Sequence, residues 1–587
     1  MFMRHTTRIK NGKEHRYYSL VESRRLAGGR IIQRPVLYLG EINDHQQAAW
    51  RKTVEIFEEG LARPRTVALF PEDRQSHLAE TDIVRIRLSQ LSLQRPRQWG
   101  GCWLASHLWE ELGLPEFWAT RLPPSRKGTR WAQVLQTLVT YRLLDPGSEW
   151  RLYRHWFDHS AMTDLLGADA GLAEIHKLYA CHELLLAHKR ALFSHLTQRW
   201  KDLFNAKFEV LLYDLTSTYF ESDPPLDEAD KRRYGYSRDK RPDCVQVVIA
   251  LIVTPEGFPL AYEVLPGNTS DKTTLANFLK KIEEQYGQAE RIWVMDRGIP
   301  TEEVLEQMRQ AQPPVQYLVG TPRGRLSQYE AKFLDQPWQV VRPGVSVKLL
   351  KEGTELYVLA ESRDRIGKER AMRWRQTKGL CRRLKALQRQ ELKRDALLKK
   401  LGAALHEFPA AARLIQTCVA TDSASLTFAL RQDKLQTARQ REGRYLLRSN
   451  ITHGRPPEEL WQFYIQLTEV EAAFKNLKDD LALRPIYHQL GERIEAHIFI
   501  AFLAYCLQVS LRRRLRDLAP GLTARAVLEK FATIQMLDVH LPTTDQRTVI
   551  LSRYTQPEPD VRLLLQRLKL ELPAQPPPKI TKPPTPP

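Results

Sequence analysis

From residue 206 the hydrophobic pattern changes from helical spacing to short apolar runs. The order in which those runs follow one another constrains the fold more than any other feature of the chain. Phe208-Glu209-Val210-Leu211-Leu212-Tyr213 reads as a strand that ends at Asp214. A second, longer strand is expected from Cys244 to Val253, and Thr254-Pro255-Glu256-Gly257 supplies turn chemistry. The chain then returns as a third strand, Phe258 to Val264. Thr273 to Tyr286 is amphipathic at helical spacing, with Ser270 or Asp271 placed to cap it. Arg291-Ile292-Trp293-Val294-Met295 is a further strand, ending at Asp296. A helix opens at Pro300-Thr301-Glu302-Glu303, and Gln316 to Val319 is strand again.

Three consecutive strands, helix, strand, helix, strand is the element order of a ribonuclease-H-like α/β fold. The expected architecture is such a core, interrupted by a mixed β/helical insertion, preceded by a small β unit and a helical region, and followed by C-terminal helices. Residues 1–48 form the β unit, with Tyr17 to Val21 and Val36 to Leu39 as strands around a Gly28-Gly29 turn. Residues 49–205 are read as helical, with Trp131, Val134, Leu135, Leu138 and Tyr141 at core spacing. The core's first part is 206–325, its insertion 326–454, and its second part 455–510. C-terminal helices fill 511–572. The tail 573–587 holds eight prolines and is expected to be disordered. Within the insertion, Arg363 to Lys400 carries 15 Lys/Arg against 4 Asp/Glu, a net +11. That arm is either a solvated coiled segment or a nucleic-acid contact. Leu380, Leu384, Leu387 and Leu392 also offer it a packing seam.

With 587 residues the chain needs several structural units. A net charge of +20 and a pI near 9.6 favour a polyanionic partner, of which nucleic acid is the commonest. The longest apolar run, Ala496 to Leu511, is shorter than the roughly 20 residues a membrane span needs, so a buried helix is expected. The N-terminus lacks the apolar stretch of a secretory signal. Six cysteines are scattered without a C-x-x-C pair, which argues against a structural zinc or a disulfide framework and fits a reducing cytoplasm. No phosphate-binding Gly-rich lysine motif, zinc-protease motif or serine-hydrolase elbow is present, so no nucleotide cofactor is expected.

Three acidic residues stand out as chemistry. Asp214 and Asp296 each follow an apolar strand, where an aspartate serves either as a turn or helix cap or as a metal ligand. Glu471 belongs to a helix from about Glu458 to Leu483. The apolar stripe of that helix runs through Leu460, Phe463, Tyr464, Leu467, Val470, Phe474, Leu477 and Leu481. A carboxylate within such a stripe is costly unless it is paired, as with Lys475 at i,i+4, or binds metal. Glu469 is expected to be solvated. Lys478 lies two turns on, either as a phosphate contact or snorkelling from the stripe edge.

At this point several blocks resemble a known group. Tyr213-Asp214-Leu215-Thr216-Ser217-Thr218-Tyr219-Phe220-Glu221, Gly235-Tyr236-Ser237-Arg238-Asp239-Lys240-Arg241-Pro242 and Pro266-Gly267-Asn268-Thr269-Ser270-Asp271 come first. Met295-Asp296-Arg297-Gly298-Ile299-Pro300 and Arg484-Pro485-Ile486-Tyr487-His488 follow in order. The chain resembles a DDE transposase of a bacterial insertion sequence, from the branch with an insertion domain between the second Asp and the Glu. That branch carries Tyr, Arg, Glu and Lys along the glutamate helix. Tyr464, Glu471 and Lys478 match, whereas the arginine position is Leu467.

The resemblance implies that Asp214, Asp296 and Glu471 are catalytic and hold two Mg²⁺ ions, with Mn²⁺ substituting. It implies DNA contacts at Tyr464, Lys478, Arg238 and Arg297, with Arg484 in place of the missing arginine, and, by position, recognition of the DNA ends by the small β unit and the helical region 49–205. It further implies double-stranded DNA partners (terminal inverted repeats and target), a homodimer in a synaptic complex, no membrane, and a cytoplasmic, nucleoid-associated enzyme of strand transfer. Trp338 is a stacking candidate or a core residue. A transposase-derived DNA-binding protein without catalysis and a plain ribonuclease-H-like nuclease remain the alternatives.

Overall fold

Alternating burial shapes the N-terminal sheet. Tyr18 and Leu20 on Lys13–Arg25, and Leu37 and Leu39 on Ile31–Gly40, turn inward, with Leu20 opposite Leu37 in an antiparallel pair. The computed structural model describes residues 2–10, 13–25, 31–43, 46–47, 50, 86–167, 169–287, 291–421, 425–484 and 486–581. The expected Gly28-Gly29 turn, and the helical region before residue 86 apart from a few residues, lie outside them. The chain divides into two compact units. The first comprises Met1–Thr6, Arg16–Ala289 and Thr468–Pro587, and the second Thr7–His15 and Glu290–Leu467.

In the first unit, Val210–Phe220, Val245–Val253 and Pro259–Pro266 form an antiparallel meander, the three strands expected. Every residue of Val245–Val253 is buried, which is why it reads as an apolar run interrupted only by Gln246 rather than as an alternating one. Helix Asp271–Tyr286 follows. Helices Gly100–Glu111, Trp131–Leu144, Ile175–Glu183 and Lys189–Phe204 make up the helical region. The apolar run from Ala496 lies in helix Gly491–Leu518. This is the one described helix long and apolar enough to cross a membrane, and 94% of its apolar window is buried inside the protein.

The C-terminal expectation needs correction. Residues 535–554 are not helical: Gln535–Pro542 and Thr548–Tyr554 are strands, joined in one sheet with Ser92–Gln98 and Lys579–Ile580. The sequence pattern hides them because Asp538, not an apolar residue, occupies the buried face beside Met536. Asp538 is matched by the buried Arg97, whose Nη2 donates to it at 2.9 Å, and by Ser552 Oγ at 2.7 Å. Arg97 Nε also donates to Asp164 at 2.7 Å. The Pro-rich tail is likewise not disordered through residue 581. The Gln575 side-chain amide accepts from Tyr554 N at 3.1 Å and donates to Tyr554 O at 2.9 Å, so it completes an edge strand's hydrogen bonding.

The second unit is built on a six-stranded mixed sheet. Ile292–Met295 and Gln316–Gly320 run parallel, as their intervening helix Glu302–Gln310 requires. Arg444–Ser449, Glu355–Ser362, Val345–Glu352 and Gln339–Arg342 then add in antiparallel order. The insertion boundaries 326–454 therefore cut through one sheet, because strands of the insertion hydrogen-bond directly to the core strand Gln316–Gly320. What does project is a helical lobe. Helix Arg363–Gln388 buries Leu380, Leu384 and Leu387 against Leu397, Leu401 and Ala404 of helix Arg394–Glu407, with Leu392 alongside. The leucine seam and the basic face thus coexist on one helix. Leu384→Ala is expected to destabilise this lobe by about 2–4 kcal/mol, read from a denaturant midpoint, while leaving the sheet's circular dichroism intact.

Candidate active site

Asp214 lies within a strand rather than at its end, since Thr216, Ser217 and Thr218 continue Val210–Phe220 as well as the apolar residues begin it. It pairs opposite Leu251. Along that strand only Asp214 and Tyr219 are less than fully buried. Asp214 Oδ1 accepts from Leu215 N at 2.8 Å. Three residues on, Ser217 Oγ accepts from Arg238 N at 3.2 Å, which pins the start of the Arg238-Asp239-Lys240-Arg241 loop beside the aspartate's strand.

The glutamate helix differs from expectation in two ways. It is broken: Pro457–Ile465 ends at Gln466, Leu467–Lys475 restarts, and the wider turn Asn476–Asp480 closes it. The expected apolar stripe is buried at Leu460, Leu467, Val470, Phe474, Leu477 and Leu481. The buried face of the second piece is Leu467, Val470, Ala473 and Phe474, and Glu471 is exposed at its edge. Its special standing as a core-facing carboxylate is therefore lost, and the alternative, a pair with Lys475, is not formed either. Among the described residues Glu471 has no ion pair or hydrogen bond. Glu469, expected to be solvated, instead pairs with Arg512 at 3.1 Å. Leu467, at the arginine position, is buried, so its side chain faces the core.

Lys478 and Arg484 converge on one buried carboxylate. Lys478 Nζ donates to Asp239 Oδ1 at 2.8 Å, and Arg484 pairs with the same oxygen. Arg484 also reaches Asp479 at 3.0 Å. Burial lowers the Lys478 pKa, and the Asp239 charge opposes that shift. Both cations are therefore engaged within the protein. In the sequence Asp239 stands out only as part of the Gly235 to Pro242 block, and its role as their shared anchor is not legible there.

In the second unit Asp296 follows Ile292–Met295 directly, as the sequence suggests, and is exposed. Thr301 Oγ1 caps the next helix by accepting from Val304 N at 3.2 Å, so Asp296 is not needed as its cap. It opens on a cavity of about 420 Å³ whose walls include Arg297, Arg365, Arg444, Tyr445 and Tyr464. Tyr464 stacks on Tyr445 at 5.9 Å, and Arg365 lies 4.7 Å from the Tyr445 ring centroid. Burial, and then the Asp296 charge, raise the Tyr464 pKa, so its phenol stays a neutral donor. Despite three arginines in the wall, Asp296 forms no ion pair among the described residues. Sequence reasoning placed Asp296, Arg297 and Tyr464 but missed Arg365 and Arg444, which were two cations among many. Trp338 is partly exposed, with Lys348 5.1 Å and Arg444 5.7 Å from its ring centroid, and it lines a neighbouring cavity of about 370 Å³.

Residues 205–507, more than half of the chain, match the transposase DDE domain family. The chain belongs to the DDE transposases. Residues 3–62 match the N-terminal domain of the IS1634 family of transposases, which identifies the chain as an insertion-sequence transposase of the bacterial kind. All three carboxylates fall inside the DDE match. The chain is also similar to a solved cryo-EM structure of the piggyBac transposase synaptic complex with hairpin DNA. The identity is 9% and the TM-score 0.34, with 73% of this chain and 79% of that one covered. No curated protein sequence matches it.

Proposed function

We propose that this transposase binds the terminal inverted repeats of its element and performs metal-dependent strand cleavage and strand transfer through Asp214, Asp296 and Glu471. The observation that carries the reading is the Asp296 cavity: an unpaired carboxylate opening onto walls of Arg297, Arg365, Arg444 and a neutral tyrosine hydroxyl. A carboxylate left unneutralised beside three arginines suits a site that takes up a cation on one side and a phosphate on the other.

The three acidic side chains fit magnesium by donor chemistry. All offer hard oxygens, and Asp296 and Glu471 are exposed and unpaired, as a cation that keeps several waters requires. Bound there, magnesium would supply charge neutralisation at the phosphate and an activated oxygen nucleophile. The chain's own contribution is positioning. Tyr464 would donate its hydroxyl to a phosphate oxygen, and Arg297, Arg365 and Arg444 would neutralise the strand beside it. Lys478, Arg484 and Arg238 would act around the Asp239 loop, with Asp239 giving up a cation when phosphate arrives. The exposed Lys368, Arg375, Lys378, Arg382 and Lys385 of helix Arg363–Gln388 would track flanking DNA, and Trp338 would stack a displaced base. Two copies would hold two ends.

The test is cleavage of DNA carrying the element's ends, compared with the same DNA with scrambled ends. Nicking that needs both a divalent ion and the repeats is the expected result. Repeat-specific mobility shifts without any nicking would leave a DNA-binding protein, and cutting indifferent to the repeats would leave a plain nuclease.

A further inference from the structure

Away from the three carboxylates, the first unit buries a second group of potential ligands. Glu149 sits at the start of the short helical turn Glu149–Arg151, and its Oε1 is central. His488 Nε2 lies 3.4 Å from that oxygen, His182 Nε2 3.6 Å and His497 Nδ1 3.7 Å. Glu149, His182 and His497 are buried, and the His488 side chain is only 9% exposed. The ligand atoms of Glu149, His182 and His488 all lie within 4.8 Å of one another. His182 is the residue that a purely structural account leaves unexplained. It is completely buried on helix Ile175–Glu183, and neither ring nitrogen has a hydrogen-bond partner among the described residues. An unsatisfied buried imidazole is costly, and a cation at the centre of the group would satisfy its Nε2.

We propose that Glu149, His182 and His488 bind one zinc ion, with His497 beside them as a supporting residue or fourth ligand. A tetrahedral zinc with nitrogen and oxygen ligands at about 2.0–2.2 Å sets ligand-to-ligand separations of about 3.3–3.6 Å. The separations from Glu149 Oε1 to His488 and His182 match that edge length, and the remaining edge, between the two imidazoles, is no longer than 4.8 Å. Burial pushes the His182 pKa down to about 3 and that of His497 down to about 4. Burial alone would raise the Glu149 pKa, but hydrogen bonds from His488 and His497 hold it well below the usual carboxylate range. At His488 Nε2 zinc would take the place of the proton that this nitrogen shares with Glu149 Oε1. Arg142 stays 4.0 Å from Glu149 Oε1 and donates to Ala482 O at 3.2 Å, which braces the group from outside.

The site would tie the helical region to the segment between the glutamate helix and helix Gly491–Leu518, the segment that carries Arg484. It uses none of the three carboxylates, so its success or failure is independent of the strand-transfer reading. The experiment uses the full chain, stripped with chelator, dialysed against zinc and desalted. One zinc per chain is expected by mass spectrometry. Zinc-edge X-ray absorption should show imidazole scattering, which a site made only of carboxylates cannot give. Stoichiometry should survive Asp214→Asn with Glu471→Gln and the control His107→Gln. In His182→Gln, affinity should fall by more than the roughly 100-fold that marks loss of an outer partner. Substoichiometric zinc in the wild-type chain, absence of imidazole scattering, or full zinc retention in a folded His182→Gln variant would each overturn the assignment. The first two readings need no variant to fold.

Discussion

Asp214→Asn, Asp296→Asn and Glu471→Gln are each expected to lower Mg²⁺-dependent cleavage of element ends by at least about 1000-fold, equivalent to about 4 kcal/mol of transition-state stabilisation. The substitutions remove one negative charge and almost no volume. Asn at 214 keeps an oxygen to accept from Leu215 N, now 2.8 Å from Oδ1, so the strand should not notice the change. At 296 and 471 the wild-type side chains are exposed and unpaired, so no ion pair is lost with the charge. Fold and end binding should therefore persist in mobility shifts while nicking disappears. Mn²⁺ should restore part of the activity, because it accepts poorer ligand sets more readily than magnesium does. Cleavage within tenfold of wild type in any one variant would remove that residue from the proposed metal set.

The parts of this picture that sequence could reach are those in which burial and hydrophobicity coincide. The strand Val245–Val253 is buried at every position and apolar at nearly every one, so its identity and its place in the strand order were readable. Asp296 was readable for the same reason, because four buried residues precede it and the chain then turns polar. Failures arise where a polar residue faces inward or lies at the edge of a buried face. Asp538 conceals a strand because its partner Arg97 is more than 400 residues away in the chain. Glu471 sits at the edge of a stripe whose apolar members are buried, and helical spacing alone does not separate an edge position from a core one. Leu467 shows the converse: a departure from a family pattern that looks functional in sequence is a buried packing residue in the fold. The Glu149 group was invisible because its members lie up to 348 residues apart and none forms a spaced motif.

Asp239→Asn is expected to destabilise the first unit by about 3–5 kcal/mol, because it leaves Lys478 and Arg484 sharing a largely buried site without their common counter-charge. The Lys478 side chain is 9% exposed and that of Asp239 6%, so water cannot replace the lost carboxylate. The sign of the pH dependence identifies the cause. Burial already lowers the Lys478 pKa and Asp239 counteracts it, so removing the carboxylate should lower that pKa further. The unfolded chain would then bind more protons than the folded one over the interval up to the ordinary lysine pKa of about 10. Stability of Asp239→Asn should accordingly rise with pH from neutrality toward that value, whereas the wild type gains less over the same range. Adding Lys478→Met should recover at least about half of the loss, since it removes one of the two repelling cations while Arg484 keeps its contact with Asp479. Denaturant titrations of the wild type, both single variants and the double variant give the coupling directly. Independent, additive losses would mean that Asp239 acts on its loop rather than on the two cations. A coupling of several kcal/mol would establish that the loop after Arg238 and the segment after the glutamate helix are joined through this one carboxylate.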